Sequence, residues 1–309
     1  MLLYILVLWV SVSNCDHTPL GEVVHLFQIF KEHKGFGKQI LLLAKNELLK
    51  TYKGAVIGPF WAVIKPAFTL FVYWFAFSVG LRGGNGVEVV FGERTLFFSK
   101  FIFLLVGFVP WFFMSDGITQ GAKAIRMNRQ FVTKVSFPVS TIMTYTSMSR
   151  LYVHFFLAAI MYLIVGLTHG VSWYNLQFFF YCPLMYVFFL ALSWSTAPMS
   201  AFSRDFENMI VSIMTGIFWL SGIIYNSYDM GIESKITIFG KSLGEILEFI
   251  MLLNPINFFA NGYRNAFLYD RMFYEYPLEL IIFGVEFLIV FVLGIYNYNR
   301  LRKTLPDVL

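Results

Sequence analysis

Charge is what this chain has least of. Only 13% of its 309 residues are Asp, Glu, Lys or Arg, while 58% are hydrophobic; soluble domains carry about a quarter charged. That balance excludes an ordinary soluble enzyme built around one buried core. Cysteine is also scarce: Cys15 and Cys182 offer neither a disulfide framework nor a metal-ligand spacing. No Walker A sequence is present. Its nearest approach, Gly37-Lys38, has Glu32 where the first glycine belongs and Gln39 after the lysine. HExxH, CxxC and a glycine-rich loop after a strand are absent, and the five histidines are scattered. Energy for any active process must therefore come from another chain.

What the sequence has is long apolar runs. A membrane helix needs about 20 apolar residues, and six segments qualify: 57–80, 101–122, 139–167, 176–202, 209–225 and 278–298. The short alternating pattern of an outer-membrane barrel is missing. The expected fold class is therefore all-α and polytopic, with six transmembrane helices. The net charge of +5 sits at the ends of the runs, where it sets topology and meets anionic headgroups rather than nucleic acid. One side of the membrane receives Lys31, Lys34, Lys38, Lys45, Lys50, Lys53, Lys123, Arg126, Arg129, Lys134, Arg204, Arg300, Arg302 and Lys303. The other receives Arg82, Arg94, Lys100, Lys235, Lys241, Arg264 and Arg271. The richer side is expected to be cytoplasmic, with both termini there and an even number of crossings.

That parity decides 246–269, which is apolar enough to suggest a seventh span. Asn254-Pro255 divides it into pieces too short to cross. A hairpin that enters the outer leaflet and returns fits better, and such backbone survives only when buried in protein or lining a wet cavity.

Residues 1–20 read as an N-terminal extension, dispensable or lying at the surface, in preference to a secretory signal, because a basic n-region is missing. Residues 21–56 form a cytoplasmic interfacial segment. Within it Ile40, Leu43, Ala44 and Leu48 share one helical side and Lys38, Lys45, Asn46 and Lys53 the other. The stretch 50–74 passes through Gly54, Gly58 and Pro59 into the first apolar run with no loop between, a mechanical elbow at the membrane surface. Residues 57–298 form the transmembrane domain and 299–309 a cytoplasmic tail.

Ionisable residues inside spans cost about 2.5–3.5 kcal/mol each on insertion scales and mark a bundle interior or wet route. Here they are Lys65, Asp116, Arg150 and Glu286. Lys65 can instead snorkel to the interface, and Asp116 and Arg150 can pair across helices. His154 follows Arg150 by four residues on one helical face. Aromatic residues crowd 61–77 and 111–113; most suit lipid contact, and some can stack on sugar rings. Gly117 and Gly121 form a GxxxG pair suited to close helix packing. Asp205-Phe206-Glu207 resembles the acidic pair of a metal-dependent glycosyltransferase, set against a plain hydrated turn with Arg204 paired to Asp205.

In order and spacing, three groups of residues resemble the permease subunits of type-2 ABC exporters, most closely the branch exporting teichoic acid and O-antigen polysaccharides. They are Tyr52-Lys53 with Ile57-Gly58, Trp61 and Pro66; Leu105 to Phe113 with Gly117 to Arg126 and Val135 to Pro138; and Arg204-Asp205 with Asn254-Pro255 and Tyr263-Arg264-Asn265-Ala266. The likeness covers about 30–303. Lys65 departs from it, since many relatives have Asn before the first-span proline.

The resemblance implies a homodimer with two copies of a separate cytoplasmic ATPase, which binds ATP and Mg; this chain needs no cofactor. It implies a coupling region over 121–137, with Lys123, Arg126, Asn128 and Arg129 touching the ATPase. It also implies an outer re-entrant gate at Asn254, Pro255, Tyr263 and Arg264. Trp61, Lys65, Phe68 and Tyr73 are the expected pathway residues. The expected cargo is an undecaprenyl-type lipid-linked glycan crossing a bacterial plasma membrane. Teichoic acid is placed ahead of O-antigen because Lys65 suits a polyanion. A glycosyltransferase using Asp205 and Glu207, or a passive channel or membrane anchor, are the rival classes.

Overall fold

The computed structural model describes residues 28–309 apart from 82, 92–93, 135–136, 230–236 and 239–240. The extension expected over 1–20 and part of the Val135–Pro138 motif lie outside the described residues.

The basic segment folds as two helices, α1 (Gln28–His33) and α2 (Gly37–Thr51). The apolar side of α2 buries Ile40 and Ala44, leaving Leu41, Leu42 and Leu49 exposed. The passage into the membrane is not continuous, contrary to the sequence reading. Gly54 and Gly58 take φ values of 84° and 50°, a left-handed region in which a Cβ is costly. The chain turns through both and makes a 3-10 turn at Gly58–Phe60 before α3 (Trp61–Phe75), which runs on as a wider π turn to Gly80. Sequence reasoning also missed an antiparallel hairpin, β1 (Gly86–Phe91) with β2 (Arg94–Ser99), in register from Gly86 opposite Ser99 to Phe91 opposite Arg94.

The bundle follows: α4 (Lys100–Met127), short α5 (Arg129–Thr133), α6 (Val139–His169), α7 (Phe178–Phe202), α8 (Arg204–Trp219), α9 (Leu243–Leu252), α10 (Pro255–Arg264), α11 (Pro277–Leu301) and α12 (Leu305–Val308). Helix α4 is the axle. Its stretch from Phe101 to Met114 is apolar on every side, as a helix must be to sit inside a bundle, and the helix packs on α6, α7 and α10. Its most apolar stretch is 78% buried against 11% for that of α3, so α3 is the peripheral span. The GxxxG pair does what its spacing suggests: a Cβ on Gly117 would lie 3.2 Å from that of Phe189, and one on Gly121 3.0 Å from that of Ser193. Glycine there lets α4 approach α7 closely.

Among the described residues five helices are individually long and apolar enough to cross a membrane: α3 with its π turn, α4, α6, α7 with the turn before it, and α11. The fifth predicted span, 209–225, is displaced. Helix α8 begins earlier, at Arg204, because Ser203 accepts the backbone N–H of Asp205 as an N-cap. It ends at Trp219 after 16 residues, about 24 Å at 1.5 Å per residue, short of the ~30 Å hydrocarbon core. The apolar stretch at 246–269 breaks into α9 and α10, meeting at an 86° bend. Asn254 caps α10 by accepting the N–H of Ile256, and Pro255 occupies its first turn.

Candidate functional site

Three groups of side chains stand out. The first is the exposed face of α3. Trp61 and Phe68 lie on it at 45% and 65% exposure, with Lys65, Phe71 and Phe75 also exposed. The spacing 61, 65, 68, 75 follows one side of a helix, an aromatic stripe carrying a single cation. Tyr73, predicted to belong with it, points the other way. Its ring packs 5.1 Å from those of Phe108 and Phe218 and 6.4 Å from that of Trp219, tying α3 to α4 and α8. Behind Lys65, Asp116 of α4 and Arg150 of α6 pair at 4.0 Å, and Lys65 is within electrostatic reach of Asp116. Tyr52 joins this group from the end of α2. Burial raises its phenol above the ordinary range, opposed by Arg150. Three of the four ionisable residues read from the spans thus converge beside α3. Glu286 lies elsewhere, partly buried on α11.

The second group is at the far end of α4. Glu207 in the first turn of α8 accepts a 2.9 Å hydrogen bond from Arg126 and lies 3.5 Å from Lys123. Arg204 pairing with Asp205 is not what organises this turn; Glu207 with two cations from α4 is. Asn128 is buried and donates to the carbonyl of Ala124, closing the end of α4. Of the four predicted coupling residues only Arg129 is exposed, alongside Met127 and Gln130. A carboxylate held by two cations is poorly suited to bind a metal ion, which weakens the glycosyltransferase reading of Asp205 and Glu207. Asp205→Asn is expected to leave any glycosyl-transfer signal of the purified chain unchanged. Glu207→Ala, by releasing both cations, should lower the thermal unfolding midpoint of the purified chain.

The third group surrounds the α9–α10 bend. Asn254 donates to the Leu220 carbonyl at 3.0 Å and to Ser221 Oγ at 2.9 Å, so the bend is tied to the end of α8. Tyr263 shares a 2.7 Å hydrogen bond with His154 Nε2 of α6. Arg264 is wholly buried, donating to the carbonyls of Gly222, Ile223 and Tyr225, with its guanidinium 3.9 Å from the Phe103 ring centre. Of the four predicted gate residues, Asn254 and Pro255 form the bend itself, and Tyr263 and Arg264 lie at the other end of α10. Sequence reasoning missed Gly107: a Cβ on it would come within 2.6 Å of the Ile223 carbonyl oxygen and 2.7 Å of Arg264 Nη2. Gly107 lies within the Leu105 to Phe113 group, where its helix-packing role has no local signal.

An apolar bundle around a buried axle, with a broken helix pair and a basic loop at one end, is the architecture of a polytopic membrane protein. The chain belongs to the ABC-2 type transporter family, whose model matches residues 38–268. It is 25% identical over 252 residues to the O-antigen export system permease protein RfbA of Myxococcus xanthus, covering 81% of this chain and 86% of that protein. Two proteins of the same description from Klebsiella pneumoniae are 24% and 25% identical over 287 residues, 90% of this chain and 98% of theirs. These relatives carry O-antigen, not teichoic acid, in their descriptions, against the order of preference drawn from Lys65.

Proposed function

We propose that this chain is the permease of an ATP-driven exporter that moves a lipid-linked polysaccharide of the O-antigen kind outward across a bacterial plasma membrane. Two copies of the chain work with two copies of a cytoplasmic ATPase that binds ATP and Mg. The α4–α5 region, through the exposed Met127, Arg129 and Gln130 and the Glu207-held cations, receives the push of that ATPase. Both termini are cytoplasmic, and α9–α10 enters and leaves the membrane from the outer face. The glycan passes along the α3 stripe, where Trp61 and Phe68 offer ring faces for sugar C–H groups and Lys65 an ionic contact for acidic units.

The observation that carries this reading is the exposed aromatic stripe with Lys65 beside the Asp116–Arg150 pair, in a chain of this family. Teichoic acid export is the second reading, favoured by Lys65 alone. In proteoliposomes of the permease–ATPase complex, Trp61→Ala and Lys65→Ala are expected to cut glycan-stimulated ATP hydrolysis and export about tenfold, the scale of one lost stacking or ionic contact. Wild-type export in both variants removes the stripe from the pathway. Stimulation by a polyol-phosphate glycan but not by a neutral one reverses the order of cargo.

A further inference from the structure

A cavity of about 310 Å³ lies under the α9–α10 bend, walled by α4, α7, α8 and α11. Its origin is geometric. Helix α9 has 10 residues, about 15 Å at 1.5 Å per residue, and α10 runs on through a π turn to Tyr269, about 22 Å in all, so each arm falls short of a ~30 Å hydrocarbon core. Beyond the bend nothing from this pair fills the space between α8 and α11, and those two helices do not pack extensively on each other. The walls there are Ile213, Gly216 and Ile217 of α8, Leu253 at the bend, and Val290 and Leu293 of α11.

Polar groups in the wall make no demand on an occupant. Ser195 Oγ donates to the Leu293 carbonyl and accepts from Asn297. Ser212 donates to the Asn208 carbonyl, and Asn254 is used by Leu220, Ser221 and Ile256. Apolar cavities without polar partners do not hold water, and a void of this size forfeits packing on every wall. The cavity is not sealed. Ser212 and Gly216 are exposed, as are Leu220 and Ile250 at its rim. It is thus continuous with the apolar surface that a bilayer covers, which runs on along α11 through Leu288, Ile289 and Val292.

We propose that this cavity is a binding site for one acyl chain of a bilayer phospholipid, which fills the space the short α9–α10 pair leaves open and holds α8 apart from α11. No residue of α3 lines it, so it is separate from the α3 stripe. It requires neither the proposed cargo nor the ATPase.

The test uses the full chain in phosphatidylethanolamine–phosphatidylglycerol vesicles containing a trace of phosphatidylethanolamine with a diazirine at the end of one acyl chain. After illumination, labelled residues are mapped by mass spectrometry. Ile213, Ile217 and Leu253 are expected to take more label than Val285 and Leu288 on the outer face of α11. Gly216→Trp should abolish labelling at the three cavity positions and leave Leu288 labelled. Gly216 lines the cavity and a Cβ there meets nothing within 4 Å, so the substitution begins from open space at its wall. Cavity labelling no stronger than that of Leu288, or labelling that survives Gly216→Trp, overturns the proposal. So does a disulfide between two copies of Gly216→Cys, which makes a second copy the occupant. Labelling obtained only with a diazirine polyprenyl phosphate overturns it too, in favour of a carrier-lipid site.

Discussion

Arg264→Met is expected to cost this protein most of its folded stability in detergent, and Arg264→Lys nearly as much. The guanidinium is fully buried, and the carbonyls of Gly222, Ile223 and Tyr225 receive its protons. Those carbonyls follow the C-terminus of α8, the negative end of a helix dipole, which suits a cation. Methionine keeps much of the side-chain volume and removes every donor. Each carbonyl left buried and unpaired costs about 1–3 kcal/mol, so three give a loss comparable with the whole stability of a domain, about 5–15 kcal/mol. Lysine is a point charge without the planar fork that spans separate acceptors. The measurement is the monodisperse fraction after heating, with an expected fall in midpoint of about 10 °C or more. A wild-type midpoint for Arg264→Met refutes the account. Gly107→Ala should fail in a similar way, because its Cβ collides with the Ile223 carbonyl and with Arg264 itself. The double variant should be milder than the sum, since both act on one contact.

Glu32→Ala is the second large effect expected. Its carboxylate accepts from Ser140 Oγ at 2.6 Å and Tyr298 Oη at 2.7 Å, and pairs with Arg302 at 2.5 Å. One side chain of α1 therefore ties the start of α6 to the end of α11. The neighbouring His33 shares a 2.7 Å hydrogen bond with Thr144, and Phe36 meets Phe137 edge to face. Alanine leaves the Ser140 hydroxyl and the Tyr298 phenol without their acceptor in places where both residues are at most 1% exposed, and leaves Arg302 partly buried and unpaired. Removing one partner of such a set costs about 3–5 kcal/mol. Glu32→Gln, which keeps an acceptor oxygen but loses the charge, should fall between. Hydrogen exchange over 28–36 should speed up in Glu32→Ala while the α4–α7 core stays protected. Unchanged exchange in that segment would show that α1 is held by its apolar contacts alone.

Much of the architecture is legible in the chain because a bilayer imposes one scale on every span. The boundaries read at 101–122, 139–167 and 278–298 fall inside α4, α6 and α11. The break at Asn254-Pro255 is where α9 gives way to α10, since proline fixes both the end and the start of a helix. The site was legible only in part. Trp61, Lys65 and Phe68 share a face because helical spacing puts them there, but Tyr73 turns inward, a matter of where α4 and α8 lie. Lys123 and Arg126 read as contacts for an ATPase, yet both are held by Glu207, brought to them from more than eighty residues away. Glu32, noticed only as the residue that spoils a phosphate loop, proves to join three helices.

Composition and run length by themselves determined a helical membrane protein and most of its long apolar helices, because those properties depend on transfer from water to hydrocarbon residue by residue. The tertiary structure alone decided that α4 is the buried axle and that the two terminal nitrogens of buried Arg264 are held by carbonyls rather than by an acid. It alone decided that the short α9–α10 pair leaves a cavity beside α8. Each of these depends on what a distant segment brings within a few ångströms, and local hydrophobicity carries no record of that.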